Sequence, residues 1–322
     1  MITRLAEKVF AGDVLSEGDA SFLASIDGVE LFRFFSTAGE IREKFRGNGV
    51  DLCSIINAKS GGCAEDCSYC SQSSKSKADI STYPLVKTDV VVKKAEEAKM
   101  AGVKRFCIVT SGRKVRSGEL REIAFAVKKV KKIGLLPCAT LGLLNRDELS
   151  LLKDSGLQRY HHNLETSERF FPAICSTHTY SEKMRTIEAA QSIGLSLCSG
   201  GIFGLGESWC DRIALAFALR DLSVESVPIN FLIPVKGTPM EGTDPLHPFE
   251  ALKIISLYRF ILPHREVRVC GGRRQTLGDF NSMIFLAGAD SLLTGDYLTT
   301  LGMPYEDDMR LIRNYGLTVD RG

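Results

Sequence analysis

The chain has 322 residues, 44% hydrophobic and 25% charged, with a net charge of +2. So small a charge supplies no field to steer nucleic acid or a membrane surface, and the length suits a single α/β barrel. Its ten cysteines are too sparse for a disulfide scaffold, and thiols used in this way serve metal binding or catalysis.

The opening residues MITRLAEKVFAGDVLSEGDA hold no secretory apolar stretch, and no run is long enough to span a bilayer. A cytoplasmic protein is therefore expected. Residues 1–50 predict an N-terminal helical extension, because LAEKVFAGD, DASFLASI and ELFRFFSTAGEIREKFRGN carry apolar residues at helical spacing. This extension contributes no recognisable chemistry. From residue 51 to 322 short apolar strands alternate with amphipathic helices. Strands are expected at Leu52–Asn57, Arg105–Thr110, Leu136–Leu141, Gln158–Leu164, Leu195–Gly200, Ser226–Leu232, Glu266–Gly271 and Asp290–Thr294. Helical patterns such as TDVVVKKAEEAKMAG and ELREIAFAVKKVKKIG lie between them, and several end in a glycine suited to a left-handed cap. About eight such units predict an α/β fold, a (β/α)₈ TIM-type barrel whose active site lies at the C-terminal strand ends. No repeat or linker divides the chain.

The loop after the first strand carries Cys63-x-x-x-Cys67-x-x-Cys70. Three thiols this close can hold three corners of a [4Fe–4S] cube and leave one iron open to a small molecule. A zinc knuckle would need a second tight Cys or His pair, which the sequence lacks. With Tyr69 before the last cysteine, the spacing resembles the signature of the radical S-adenosylmethionine (SAM) enzymes. Three further cysteines, Cys107, Cys138 and Cys198, sit in three different expected strands. Buried cysteines often merely pack. Inward-facing thiols on separate barrel strands can also converge on a second metal centre, which their company beside the loop favours.

Together the two sets resemble the biotin synthase family, through CAEDCSYCSQSS, RFCIV, CATLG, YHHNLETS, LCSGGIFGLGE, ESVPIN, VKGTP and VRVCGGR. The resemblance implies a radical SAM sulfurtransferase that inserts sulfur into dethiobiotin. It implies a [4Fe–4S] cluster on Cys63, Cys67 and Cys70 with S-adenosyl-L-methionine at the fourth iron. It also implies an auxiliary iron–sulfur cluster on Cys107, Cys138 and Cys198, completed by Arg268. An arginine ligand runs against ordinary chemistry, since its pKa keeps it protonated. Further implications are SAM contacts from Tyr69, Glu165 and the Gly-rich segment Gly200, Gly204, Glu207, and dethiobiotin contacts from Asn163 and Asn230. An electron donor such as flavodoxin or ferredoxin and a homodimer are expected on the same ground.

Four residues depart from the family pattern. His161 stands where asparagine is expected and Lys183 where arginine often sits. Cys53 lies on the first strand where serine is usual, and Cys270 falls two residues after Arg268, on the same side of its strand. As many as five thiols would then surround the auxiliary site, so either a [2Fe–2S] cluster or a four-iron cluster using Cys270 or Cys53 is expected. The histidines His161, His162, His178, His247 and His264 are expected to be packing residues. The rival readings are another sulfurtransferase of the lipoyl synthase type and a non-catalytic iron–sulfur redox protein.

Overall fold

Alternation of strand and helix leads to a closed parallel barrel, as seen in the computed structural model, which describes residues 1–320. The strands are β1 (Gly49–Lys59), β2 (Arg105–Thr110), β3 (Leu136–Thr140), β4 (Arg159–His161), β5 (Ser196–Cys198), β6 (Gly201–Phe203), β7 (Ser226–Phe231), β8 (Glu266–Val269), β9 (Ser291–Leu293) and β10 (Thr318–Val319). Every pairing between these strands is parallel, and β9 pairs back onto β1 through Asp51–Ser291 and Cys53–Leu293 to close the ring. β5 and β6 share one strand position, so the barrel has eight. Each crossover helix buries one face, as in Ser117–Ile133 with Leu120, Ile123, Val127 and Val130 inside. That helix stops at Gly134, whose φ of 97° suits glycine alone without strain.

β10 has no counterpart among the expected strands, and β8 stops at Val269 rather than Gly271, so Cys270 lies just beyond the strand on which it is expected. Three other strands differ most in course, each for a tertiary reason. β1 is longer, because β10 pairs with its first residues and a register shift at Asn57/Lys59 carries it into the thiol loop. β4 ends at His161, and the chain then leaves the sheet. The fifth strand breaks at Gly200, since Cβ atoms at Gly200 and Gly201 would lie 2.0 Å from the Pro228 carbonyl and 2.4 Å from the Glu165 carbonyl. The break lets β6 pair with β7 while Ile202 N–H donates to Glu165. That bond fixes Glu165 in a left-handed conformation, φ 73°, which is uncommon for a non-glycine residue.

The N-terminal helices, Ile2–Phe10, Glu17–Ser25 and Glu30–Arg46, pack outside the barrel and share its hydrophobic core. Phe34 meets Phe260 of the helix Pro248–Ile261 at 5.3 Å between ring centres. Buried Asp290 ties the layers together, accepting from Arg46 and Arg259 at 2.6 Å each. Inside the barrel lies a separate small cluster of Cys53, Cys107, Val109, Cys138 and Leu293. Among the described residues no helix is long and apolar enough to cross a membrane.

Candidate active site and its two thiol sets

Two-residue alternation sends Asp51, Cys53 and Ile55 of β1 inward, with Arg105, Cys107 and Val109 of β2 and Arg268 of β8. The lowest layer is ionic. Arg159 grips Glu266 with two bonds of 2.6 and 3.0 Å. Arg268 donates to Asp51 at 2.6 Å, to Glu266 at 2.9 Å and to Ser226 at 3.3 Å. Burial alone would lower the Arg268 pKa, but the charges of Asp51, Cys53 and Glu266 outweigh it and hold the guanidinium protonated. Arg105 is buried there as well, and its Nε has no hydrogen-bond partner among the described residues. Three guanidiniums over two carboxylates leave this floor positive.

Above the floor sit the deep thiols. Cys107 and Cys138 are register partners on β2 and β3, and Cys198 pairs with His161 and Ser226. The Cys107 S–H donates to Cys138, which lowers the Cys138 pKa against burial, with help from Arg105, Arg159 and Arg268. Burial pushes the Cys198 and Cys270 thiols up to about 11 and about 12, and Cys53 higher still. Cys53, Cys107, Cys138, Cys198 and Cys270 all line one cavity of about 330 Å³. Soft ligands over a positive floor fit an anionic thiolate–iron–sulfur group, and Arg105 Nε and Thr110 Oγ1 are unpaired on its wall.

The same cavity opens upward to the loop. Cys63, Cys67 and Cys70 line it with Tyr69, on a loop pinned by Ser74 N–H to Cys63 O at 2.7 Å and Cys63 N–H to Gln72 O at 3.1 Å. Between the two thiol sets His161 Nε2 meets Asn163 Oδ1 at 2.8 Å, and Asn163 Nδ2 donates to Glu165 at 3.3 Å. Burial pushes the Glu165 carboxyl up, opposed by Lys183, Asn163 and the Tyr69 hydroxyl. Burial also lowers the His161 pKa to about 4, so the ring is neutral at physiological pH. Lys183 is buried and donates to the Asn163 carbonyl at 3.0 Å, putting a cation beside Glu165. The Asn230 amide is largely engaged: it donates to Gly201 O at 3.1 Å and accepts from Gly271 N–H and the Tyr297 hydroxyl.

Three residues expected at the SAM site do not reach the cavity. Glu207 is buried and folds back on its own turn, accepting from Gly204 N–H at 3.0 Å, Leu205 N–H at 2.7 Å and Arg212 at 2.7 Å. Gly200 lies against Pro228 and Gly204 against Leu246. Their segment reaches the cavity through Ile202 instead. Of the histidines, His247 caps a helix, His264 packs on Phe45, and His162 stacks beside Tyr160. His161, His162 and His178 correct the packing expectation, because all three line the cavity, and the rings of His161 and His178 are hydrogen-bonded there. His178 Nδ1 lies 2.5 Å from Glu65 Oε2 and 3.2 Å from Cys175 Sγ, and Cys175 Sγ lies 3.8 Å from Cys67 Sγ. The Cys67 thiol donates to Cys175, whose pKa falls to about 4 through that bond first, against burial. Sequence reading passed over Cys175: Cys175-x-x-His178 is a tight Cys/His pair, so the expectation that the chain lacks a second such pair is corrected. It also passed over Arg105 and Arg159, which the two-residue period places beneath the strand thiols.

A parallel barrel with a Cys-x-x-x-Cys-x-x-Cys loop over the C-terminal ends of its strands is the arrangement of a radical SAM enzyme. Residues 58–219 match the profile of the radical SAM superfamily, and residues 228–318 match that of the biotin and thiamin synthesis associated domain. The chain is similar to the biotin synthase of Thermodesulfovibrio yellowstonii, 52% identical over 94% of this chain and 95% of that one. It is also similar to that of Geobacter metallireducens, 45% identical over 98% and 96%. Methylornithine synthase has the same fold, with a TM-score of 0.86 at 21% identity over 98% of this chain and 97% of that one. So does an [FeFe]-hydrogenase maturase from Carboxydothermus hydrogenoformans, with a TM-score of 0.82 at 17% identity over 98% and 78%. The chain belongs to the biotin synthase family.

Proposed function

We propose that this chain inserts sulfur into dethiobiotin to form biotin. One observation carries the reading: two thiol sets, one at the mouth and one deep above the ionic floor, line a single cavity. Cys63, Cys67 and Cys70 would hold the [4Fe–4S] cluster, and Cys107, Cys138 and Cys198 the auxiliary one. When bound, the loop cluster and SAM supply a hydrogen-abstracting 5′-deoxyadenosyl radical, and the auxiliary cluster supplies sulfur.

The chain's own task is enclosure and orientation, since a radical must meet only its intended C–H bond. Glu165, held by Asn163 and Tyr69, offers a carboxylate for ribose hydroxyls, and Lys183 a cation for a carboxylate. Gly200, Gly204 and Glu207 serve SAM indirectly, by fixing the turn that presents Ile202. Asn163 and Asn230 each keep one amide N–H free for the ureido carbonyl of dethiobiotin. His161, neutral, donates to Asn163 and fixes which way its amide faces. Arg268 is committed to Asp51 and Glu266 as a cation, which supports a thiol as the fourth auxiliary ligand. Cys53, clustered with Cys107 and Cys138, is favoured over Cys270. An external one-electron donor of flavodoxin or ferredoxin type, a homodimer and a cytoplasmic setting that keeps all ten thiols free complete the proposal.

Anaerobic incubation with SAM, dithionite and dethiobiotin, read by mass spectrometry, tests it. Biotin and 5′-deoxyadenosine must both appear. Deoxyadenosine with a different thiolated product would favour a lipoyl-synthase-like enzyme, and neither product a redox protein. Iron and sulfide analysis with Mössbauer spectra decides the auxiliary ligand. Loss of auxiliary iron in Cys53→Ser supports the thiol, whereas loss only in Arg268→Met supports the arginine.

A further inference from the structure

The thiol loop meets a second ligand set that the family chemistry does not use. After the short helix Phe171–Ile174, the chain turns through Cys175 and His178 directly against the loop. The turn is pinned by Asp66, which accepts from Ser176 N–H at 2.9 Å and Thr177 N–H at 3.2 Å. Cys67, Cys175 and His178 thereby present ligand atoms all within 4.8 Å of one another. Two thiolates on one tetrahedral ion, each about 2.3 Å from the metal, stand about 3.8 Å apart. The Cys67–Cys175 sulfur separation is 3.8 Å. Thiolates on separate irons of a cube are held wider, so this spacing suits a single ion. Histidine ligands to zinc characteristically donate their other ring N–H to a carboxylate. His178 does so, with Nδ1 2.5 Å from Glu65 Oε2, leaving Nε2 3.9 Å from Cys175 Sγ. Glu65 is itself fixed by the Thr177 hydroxyl at 2.8 Å.

We propose that Cys67, Cys175 and His178 form a mononuclear site for one thiophilic divalent ion, zinc or ferrous iron, with Glu65 orienting the imidazole. The fourth position is left to water. The ion displaces the protons shared among Cys67, Cys175 and His178 to solvent, and no electron is transferred. Because Cys67 belongs to both ligand sets, the single ion and the loop [4Fe–4S] cluster exclude one another. The inference goes beyond the proposed sulfur insertion, and the test separates the two.

Metal-free, reduced full-length protein is treated with a small thiol-alkylating reagent, with and without saturating zinc chloride, and modification is read at each cysteine by mass spectrometry. Zinc is expected to slow modification of Cys67 and Cys175 at least tenfold and to leave Cys63 and Cys70 within twofold. Protection of Cys63, Cys67 and Cys70 together, with Cys175 unprotected, overturns the proposal. In Glu65→Gln the zinc needed for half-protection should rise about 10–100-fold, the usual effect of losing a ligand's orienting partner, and in His178→Gln, which loses the ligand itself, by at least as much; unchanged affinity in His178→Gln overturns the proposal. Ferrous chloride in place of zinc shows which ion binds more tightly. Both Cys175→Ser and His178→Gln should still assemble the loop cluster, and prior zinc should slow assembly in the unmodified protein but not in Cys175→Ser. If these variants lose the cluster itself, Cys175 and His178 belong to it and the separate site is refuted, whether or not biotin is formed.

Discussion

Glu266 holds two buried guanidiniums, so Glu266→Gln tests the ionic floor directly. The carboxylate makes three charged hydrogen bonds, two from Arg159 and one from Arg268, at 2.6, 3.0 and 2.9 Å. Without it, Arg105, Arg159 and Arg268 face Asp51 alone. Breaking a buried pair from one side costs about 3–5 kcal/mol, because the remaining charge stays uncompensated. The unfolding entropy of a chain of 322 residues, at about 2.1 cal/mol/K per residue, is about 0.7 kcal/mol/K. The melting temperature of metal-free, reduced protein should therefore fall by about 4–7 °C. Scanning calorimetry reads this, and Cys138 should be alkylated faster as the local potential becomes more positive. The paired replacement Arg159→Met with Glu266→Leu should recover at least half of the loss, since an apolar pair needs no compensation. A fall of less than about 1 °C in Glu266→Gln would show that the floor is not held by these charges.

Lowering the pH should cost stability through His161. Its folded pKa of about 4 lies below the unfolded value near 6.5. The unfolded chain therefore binds the extra proton, and the contribution is intact above pH 6.5 and lost on descending toward pH 4. The loss over that window is about 3 kcal/mol, and His161→Gln should flatten the corresponding slope of the urea midpoint against pH. Gly201→Ala places a methyl 2.4 Å from the Glu165 carbonyl and 2.7 Å from Leu215 Cδ2. Chemical denaturation should show a destabilisation of about 1–3 kcal/mol, and an unaltered midpoint would contradict the close approach. Glu165→Gln should raise the SAM dissociation constant of cluster-loaded protein about 10–100-fold by equilibrium dialysis, as expected for losing a charged hydrogen bond. A change below threefold would remove Glu165 from the SAM site.

The sequence by itself determined the barrel and the two thiol sets. Strand–helix alternation admits few closed arrangements, and Cys63, Cys67 and Cys70 are neighbours along the chain. Period two was enough to send Cys107, Cys138 and Cys198 inward once their strands were recognised. Only the tertiary structure decided what those side chains face. Arg268 is a ligand candidate only through the family resemblance, and the fold adds that Asp51, from the opposite end of the chain, pairs with its guanidinium. Glu207 reads as a ligand contact, yet its carboxylate is consumed by its own turn. Cys175 and His178 lie more than a hundred residues beyond Cys67, and only the fold sets them beside it. Sequence periodicity fixes which face a residue occupies. Contacts between distant segments fix its partner, and the partner decides whether a thiol, carboxylate or imidazole is free to act.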